Sequence, residues 1–269
     1  MNPYRTFFES QGESFGRKRL DLSDAFPHHP DFRNYMIVIA GRCGSTWLGQ
    51  MLSDLKLVGV PGEWLNTQGL PALYKKRDAT SLADYLHKTA ALHPVFGVQI
   101  NPERLFHLAA LVNFRKTFAG FAYIDLRRRG FVAQAFSFAR ARKSGKWHNL
   151  EGPPPEVSDA DVWRMIGGII RYEQRIDAWY ARNRIEPLRL VYEDLLADRH
   201  AVILRILFHL SRSGEPPAYT PPPERMKRNS TGAGSQDTAL MDFLGRHMER
   251  LETIRAQRAT IDPKRIRPA

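Results

Sequence analysis

Residues 35–47 read Tyr-Met-Ile-Val-Ile-Ala-Gly-Arg-Cys-Gly-Ser-Thr-Trp, and these are residue types that can hold a phosphate. An apolar run enters a turn containing Gly41 and Gly44. Ser45, Thr46 and Trp47 then open an amphipathic run to about Leu57. A strand, a glycine turn and a helix start bring unpaired backbone N–H groups up to an anion. The ATP-type phosphate loop would place a Lys before the hydroxyl pair. Here the cation is Arg42, earlier in the turn, which points to a phosphate-containing donor other than ATP with magnesium. A chance glycine pair in an ordinary turn is the plain alternative. The coincidence of Arg42 with two hydroxyl residues weighs against it.

The elements around this loop alternate. The apolar spacing predicts strands over 35–40, 95–100, 121–126 and 188–192. It predicts helices over 45–57, 81–93, from Pro102, and over 131–142, 159–183, 199–211 and 237–258. Pro94 stops the second of these. Such alternation implies an α/β fold, a three-layer sandwich with a central parallel sheet and a phosphate-binding strand-loop-helix. Ligands in such folds lie at the carboxyl ends of the strands, where both 41–46 and 127–137 fall. Loops are expected over 149–156, with three successive prolines, and over 214–237. The division expected is an ill-defined N-terminal arm (1–30), one domain (31–260) and a basic C-terminal tail (261–269).

A chain of 269 residues, 43% hydrophobic and 25% charged, has the composition of one globular domain. No apolar run is long enough to span a membrane, and the first residues lack a signal-peptide core. One cysteine excludes an internal disulfide framework and a cysteine-rich metal site. Cytoplasm is therefore the expected location. The net charge of +12 admits nucleic acid, an acidic membrane surface or a small polyanion as partner. No zinc-finger or RNA-binding motif accompanies the Arg clusters, so an anionic small molecule is the simpler partner.

The segment Arg42-Cys43-Gly44-Ser45-Thr46-Trp47-Leu48 resembles the donor loop of sulfotransferases that use 3′-phosphoadenosine 5′-phosphosulfate (PAPS). More narrowly, the chain is similar to bacterial carbohydrate sulfotransferases typified by trehalose 2-sulfotransferase, a group that includes lipopolysaccharide and nodulation-type enzymes. Residues 58–64 resemble that family's Gly-x-x-Pro-x-Glu-aromatic segment. Residues 128–140 resemble its second phosphate motif, and 185–195 its late strand and turn. Two departures stand out: Gly130 where the family often has Asp, and Gln99 in the 95–101 strand where it often has Lys.

The resemblance implies a donor, PAPS, and no metal. Sulfuryl transfer mainly needs alignment and stabilisation of the leaving oxygen's charge. Arg42 is assigned that stabilisation, since a guanidinium stays charged and forks two hydrogen bonds to phosphate. Gly41, Cys43, Gly44, Ser45, Thr46 and Trp47 complete the 5′-phosphate loop. Arg128 and Ser137 are assigned to the 3′-phosphate, with Arg127 and Arg129 as neighbours that differ by one step in spacing. Lys227 and Arg228, inside the 214–237 loop, are also assigned to the donor. Glu63 is the implied general base, with His93, His107 and His148 as rivals. Trp64 and Trp147, with Tyr74, are candidates to stack on a sugar. Cys43 lacks a paired His motif and is not expected to be a nucleophile. Trp163 and Trp179 are expected in the core.

The partner expected is a small-molecule carbohydrate or glycolipid acceptor, not nucleic acid, and a homodimer is left open. Two other classes remain at this stage. One is a nucleotide-binding kinase-like enzyme, which the missing Lys opposes. The other is a noncatalytic, basic polyanion-binding protein, which would show a steep salt dependence.

Overall fold

Tyr35, Ile37 and Ile39 point into one apolar cluster, and Met36 and Val38 into another. A strand buried at every position has helices over both faces. The structure, a computed structural model, describes residues 1–147, 153–215, 218–219 and 237–259. The strands are β1 (Tyr35–Ile39), β2 (Gly97–Ile100), β3 (Ala122–Arg127) and β4 (Leu188–Val191). They form one parallel sheet in the order β2-β1-β3-β4. Tyr35 lies beside both Gly97 and Ala122, and Ile124 beside Leu188. The chain passes from β1 to β2 on one side, then crosses to β3 on the other. That reversal places the ligand crevice of an α/β sheet outside the carboxyl end of β1. The expected α/β, parallel-sheet class is the one observed.

The helices are α1 (Pro3–Ser10), α2 (Ser45–Leu55), α3 (Leu70–Lys76), α4 (Leu82–Ala90), α5 (Pro102–Leu111) and α6 (Phe114–Thr117). They continue as α7 (Phe131–Ser144), α8 (Asp159–Asn183), α9 (Tyr192–Ala197), α10 (Arg199–Leu210) and α11 (Thr238–Ala259). The chain divides into two compact units, Met1–Arg127 with Tyr172–Met226, and Arg128–Arg171 with Lys227–Ala269. In the first, α1, α3, α4, α5 and residues 172–183 of α8 cover one face of the sheet. Helices α2, α9 and α10 cover the other. The second unit packs α7, residues 159–171 of α8 and α11 around Phe131, Phe136, Ile166 and Phe243.

The N-terminal arm is not ill-defined up to residue 30 as expected. Asn2 caps α1 by accepting from the Tyr4 and Arg5 N–H groups, at 3.0 and 3.3 Å. Pro3 sits at the first helical position, and Tyr4 and Phe8, one turn apart, are fully buried. Burial of two aromatic side chains contributes several kcal/mol, on the order of 2–3 each, enough to fix a short helix.

β3 runs one residue past its expected end because Arg127 has partners there. Its Nε and Nη2 donate to Asp125 Oδ2 at 3.0 and 2.7 Å. Its Nη1 and Nη2 donate to the two Asp177 oxygens on α8, at 3.2 and 2.6 Å. Arg189, paired in register with Asp125 on β4, reaches both aspartates at 3.3 and 2.8 Å. Burial pushes the Asp125 carboxyl up, against the pull of Arg127 and Arg189. Burial alone would lower the Arg127 pKa, but Asp125 and Asp177 outweigh it and hold the guanidinium charged. Arg127 is therefore structural and leaves the set of candidate 3′-phosphate ligands.

Removing one member of such a cluster leaves an uncompensated buried charge. Arg127→Ala should lose about 3–5 kcal/mol of stability in urea unfolding. A loss below about 1 kcal/mol would show that the cluster does not hold β3, β4 and α8 together.

Candidate active site

The loop after β1 takes three left-handed backbone conformations: φ is 76° at Gly41, 55° at Arg42 and 89° at Gly44. Turns with such backbone conformations are the kind that can bring successive N–H groups toward a common point, as in an anion nest. Arg42 pays for a conformation that costs a residue with a Cβ about 1–3 kcal/mol, and such strain collects at functional sites. Gly44 is the cap of α2, and a Cβ there would lie 2.3 Å from the Tyr192 ring. Only glycine meets both demands. Tyr192, at the start of α9, also stands edge-on to Trp47, with centroids 6.4 Å apart. Ser45 is buried in the first turn of α2, and Thr46 beside it is exposed. Cys43 is fully buried. Burial pushes its thiol up to about 12, with backbone hydrogen bonds at Ala40 and Ser45 opposing. It is a packing residue, not a nucleophile.

Glu63 stands at the far side of β2. Gly62 bridges Val98 in parallel and so extends the sheet by one contact. The Glu63 carboxylate accepts from Asn66 Nδ2 at 2.8 Å and pairs with Arg104 of α5 at 3.4 Å. Its side chain is 42% exposed, so a substrate can reach it. The backbone beneath it is firmly held. Tyr85 Oη donates to Trp64 O and Tyr4 Oη to Leu65 O, both at 2.6 Å. Trp64 Nε1 donates to Gly97 O at 2.9 Å.

Gln99 of β2 connects the two segments. Its Nε2 donates to Ser45 O at 3.2 Å and to Pro61 O at 3.0 Å. Its main-chain N–H donates to Gly62 O at 2.8 Å. Gly49 of α2 lies so close that a Cβ there would come within 2.3 Å of the same Nε2. The first unit thus brings 41–47, Gln99 and Pro61–Glu63 into one connected set. Reading the sequence missed Gln99, Asn66, Arg104 and Tyr192 as parts of it. Gln99 had left a signal, as the departure from a family Lys.

Arg128, half-buried, and Ser137 on α7 belong to the second unit. The Arg128 and Arg129 carbonyls accept from Arg258 of α11, at 3.1 and 3.4 Å. Trp147 is exposed and meets Phe138 edge-on at 5.7 Å. Tyr74, expected to be available to a sugar, is a core residue packed on Phe7 and Phe8. Trp64 also packs against the core, with its ring over Gly62. Trp163 and Trp179 pack against core clusters, as expected. His107 sits on α5 with its Nδ1 buried and unpaired, a poor place for a base. His148, Lys227 and Arg228 lie outside the described residues, as does most of the 214–237 loop.

A loop with three left-handed residues and a hydroxyl-bearing helix start lie at the carboxyl end of a parallel sheet, where α/β proteins place their ligands. The chain belongs to the Stf0 sulphotransferase family, whose model matches residues 99–233, half of its length. It is a sulfotransferase. The matched span begins inside β2, at Gln99, takes in Arg128, Ser137 and β4, and starts after the 41–46 loop and Glu63. Among solved structures, the chain is similar to the sulfotransferase domain of the Synechococcus PCC 7002 olefin synthase. That match has 16% identity over 86% of this chain and 90% of that one, with a TM-score of 0.43. The sulfotransferase domain from the curacin biosynthetic pathway matches with 17% identity over 80% and 82%, also at 0.43. No curated protein matches the chain.

The state of Cys43 is directly testable. At pH 8 only about one thiol in ten thousand would be ionised. Alkylation by iodoacetamide should be at least about 100-fold slower in the native chain than in urea. Equal rates in the two conditions would place a reactive thiolate in the loop.

Proposed function

We propose that this sulfotransferase moves the sulfuryl group of PAPS to a hydroxyl of a carbohydrate or glycolipid, in one in-line displacement. The nest at the end of β1, in a chain of this family, carries the reading. The nest N–H groups, with Ser45 and Thr46, bind the 5′-phosphate. Arg42 opposes the charge that grows on the phosphate oxygen as its bond to sulfur breaks. Glu63 takes the acceptor proton as the new oxygen–sulfur bond forms. The products are a sulfate ester, adenosine 3′,5′-bisphosphate and a protonated Glu63. The step calls for charge stabilisation that Arg42 supplies, so no metal is assigned a role.

Arg128 and Ser137 bind the 3′-phosphate in this reading, and Arg129 is the neighbouring alternative. Trp147, through its exposed ring, and Trp64 border the acceptor. Lys227 and Arg228 are assigned to the donor on sequence grounds. Residues 31–260 act as one sulfotransferase domain, working in the cytoplasm where PAPS is made. Among the described residues no helix is long and apolar enough to cross a membrane.

Transfer of labelled sulfate from PAPS to a panel of sugars and glycolipids tests the whole reading. Binding of ATP with magnesium but not of adenosine 3′,5′-bisphosphate, and no transfer, would overturn it. Calorimetry should show the bisphosphate binding without magnesium and more tightly than 5′-AMP. Arg128→Ala should remove about 1.5–3 kcal/mol of that affinity, as for a charged hydrogen bond. Equal affinity for the two nucleotides would withdraw Arg128 and Ser137 from the donor.

Two variants separate binding from chemistry. Arg42→Ala should depress kcat more than it raises KM for PAPS, because its contact strengthens in the transition state. Glu63→Gln keeps the size and the contact with Asn66 but cannot take a proton. It should keep nucleotide affinity and lose roughly 100-fold or more in kcat. Near-normal turnover in Glu63→Gln would remove the base assignment, and His93 would be the next residue to test.

A further inference from the structure

Gln99 sits 7% exposed in β2 and spends both hydrogens of its side-chain amide on the chain's own carbonyls. One carbonyl, that of Ser45, belongs to the first residue of the helix that begins at the anion nest. The other, that of Pro61, lies two residues before Glu63. Two carbonyl oxygens facing one amide leave a single orientation, with Nε2 toward both. The main-chain N–H of the same residue holds Gly62 O. Helix α2 approaches this amide at Gly49, where even a methyl group would collide. Ser45, Pro61 and Gln99, separated by 16 and 38 positions in sequence, therefore meet at one side chain.

We propose that Gln99 is a positioning residue for sulfuryl transfer, fixing the spacing between the nest that holds the donor and the segment that carries Glu63. This rests on the roles assigned above to that nest and to Glu63. In-line displacement requires the acceptor oxygen, sulfur and leaving oxygen to be collinear, and a misplacement of about 1 Å can cost 100-fold in rate. Gln99 touches neither substrate nor reacting atom. Its effect passes through Ser45 O and Pro61 O. The chemistry it needs is two donors in a fixed fork. A Leu of similar size supplies none. A Glu turns the fork into acceptors that face two carbonyls. A Lys ammonium can donate to both.

The experiment compares the full-length chain with Gln99→Leu, Gln99→Glu and Gln99→Lys. For Leu and Glu we expect kcat to fall by at least 30-fold, while affinity for adenosine 3′,5′-bisphosphate stays within about 3-fold. We expect Gln99→Lys to recover most of the loss. Hydrogen–deuterium exchange should rise together over 44–49 and 60–66 in Gln99→Leu and stay unchanged in β3, whether or not the acceptor has been identified. Unchanged exchange in both segments would overturn the inference. So would a loss of nucleotide affinity equal to the loss of kcat, or a Lys variant as impaired as Leu. A wild-type chain that transfers no sulfuryl from PAPS would defeat the functional reading instead, and the exchange result would still decide whether Gln99 couples the two segments.

Discussion

Four clustered charges, Asp125 and Arg127 buried and Arg189 and Asp177 half-buried, set where the sheet stops. Arg127 and Arg189 project from adjacent strands toward the same face, and both need Asp125 and Asp177 to offset their removal from water. Two guanidiniums and two carboxylates satisfy one another only when β3 and β4 are in the register observed and α8 lies across them. The arrangement gives little net stability over an apolar one of the same volume. It does penalise every alternative register, because a one-residue slip would carry a buried charge to the opposite face. The carboxyl ends of the strands are thereby fixed, and the ligand crevice of an α/β sheet is defined by those ends.

At the end of β1 the constraint changes from charge to space. Tyr192 occupies the volume a Gly44 side chain would need, and the Gln99 amide occupies that of Gly49. Both glycines let neighbouring groups approach closer than any side chain permits. The result is a loop that holds left-handed conformations at Gly41, Arg42 and Gly44.

The parts of this molecule that local rules govern were legible in the sequence. Ser81 caps α4, Asn101 and Pro102 open α5, and α8 runs over the residues its apolar spacing marked. The strand-turn-helix at 35–55 was readable because its glycines and hydroxyls are contiguous. What was hidden depends on distant partners. Nothing near Tyr74 announces that Phe7 and Phe8 will cover it, and nothing near Arg127 announces Asp177. The Asn2-Pro3 start of α1 was a local signal that went unread. The excess of positive charge misleads in the same way. Arg127, Arg189 and Arg140 each face an aspartate inside the protein, the last one Asp237, so they say nothing of an external polyanion.

The segment carrying Glu63 shows how a residue outside regular structure becomes a fixed one. From Pro61 to Leu65, five successive carbonyls each accept a hydrogen bond. The donors are Gln99 Nε2, Gln99 N, Asn66 N, Tyr85 Oη and Tyr4 Oη. A strand would use its carbonyls on one neighbour, but this segment combines two main-chain donors with side chains from β2, α4 and α1. Its backbone is therefore as constrained as a strand's, while its direction need not follow the pleat. Motion is left to the Glu63 side chain, and there Asn66 and Arg104 limit the orientations of the carboxylate. The combination joins a held backbone to a carboxylate that stays exposed to solvent. Helix α1 thus reaches across to this segment: without Tyr4, one end of the five-carbonyl run would lose its anchor.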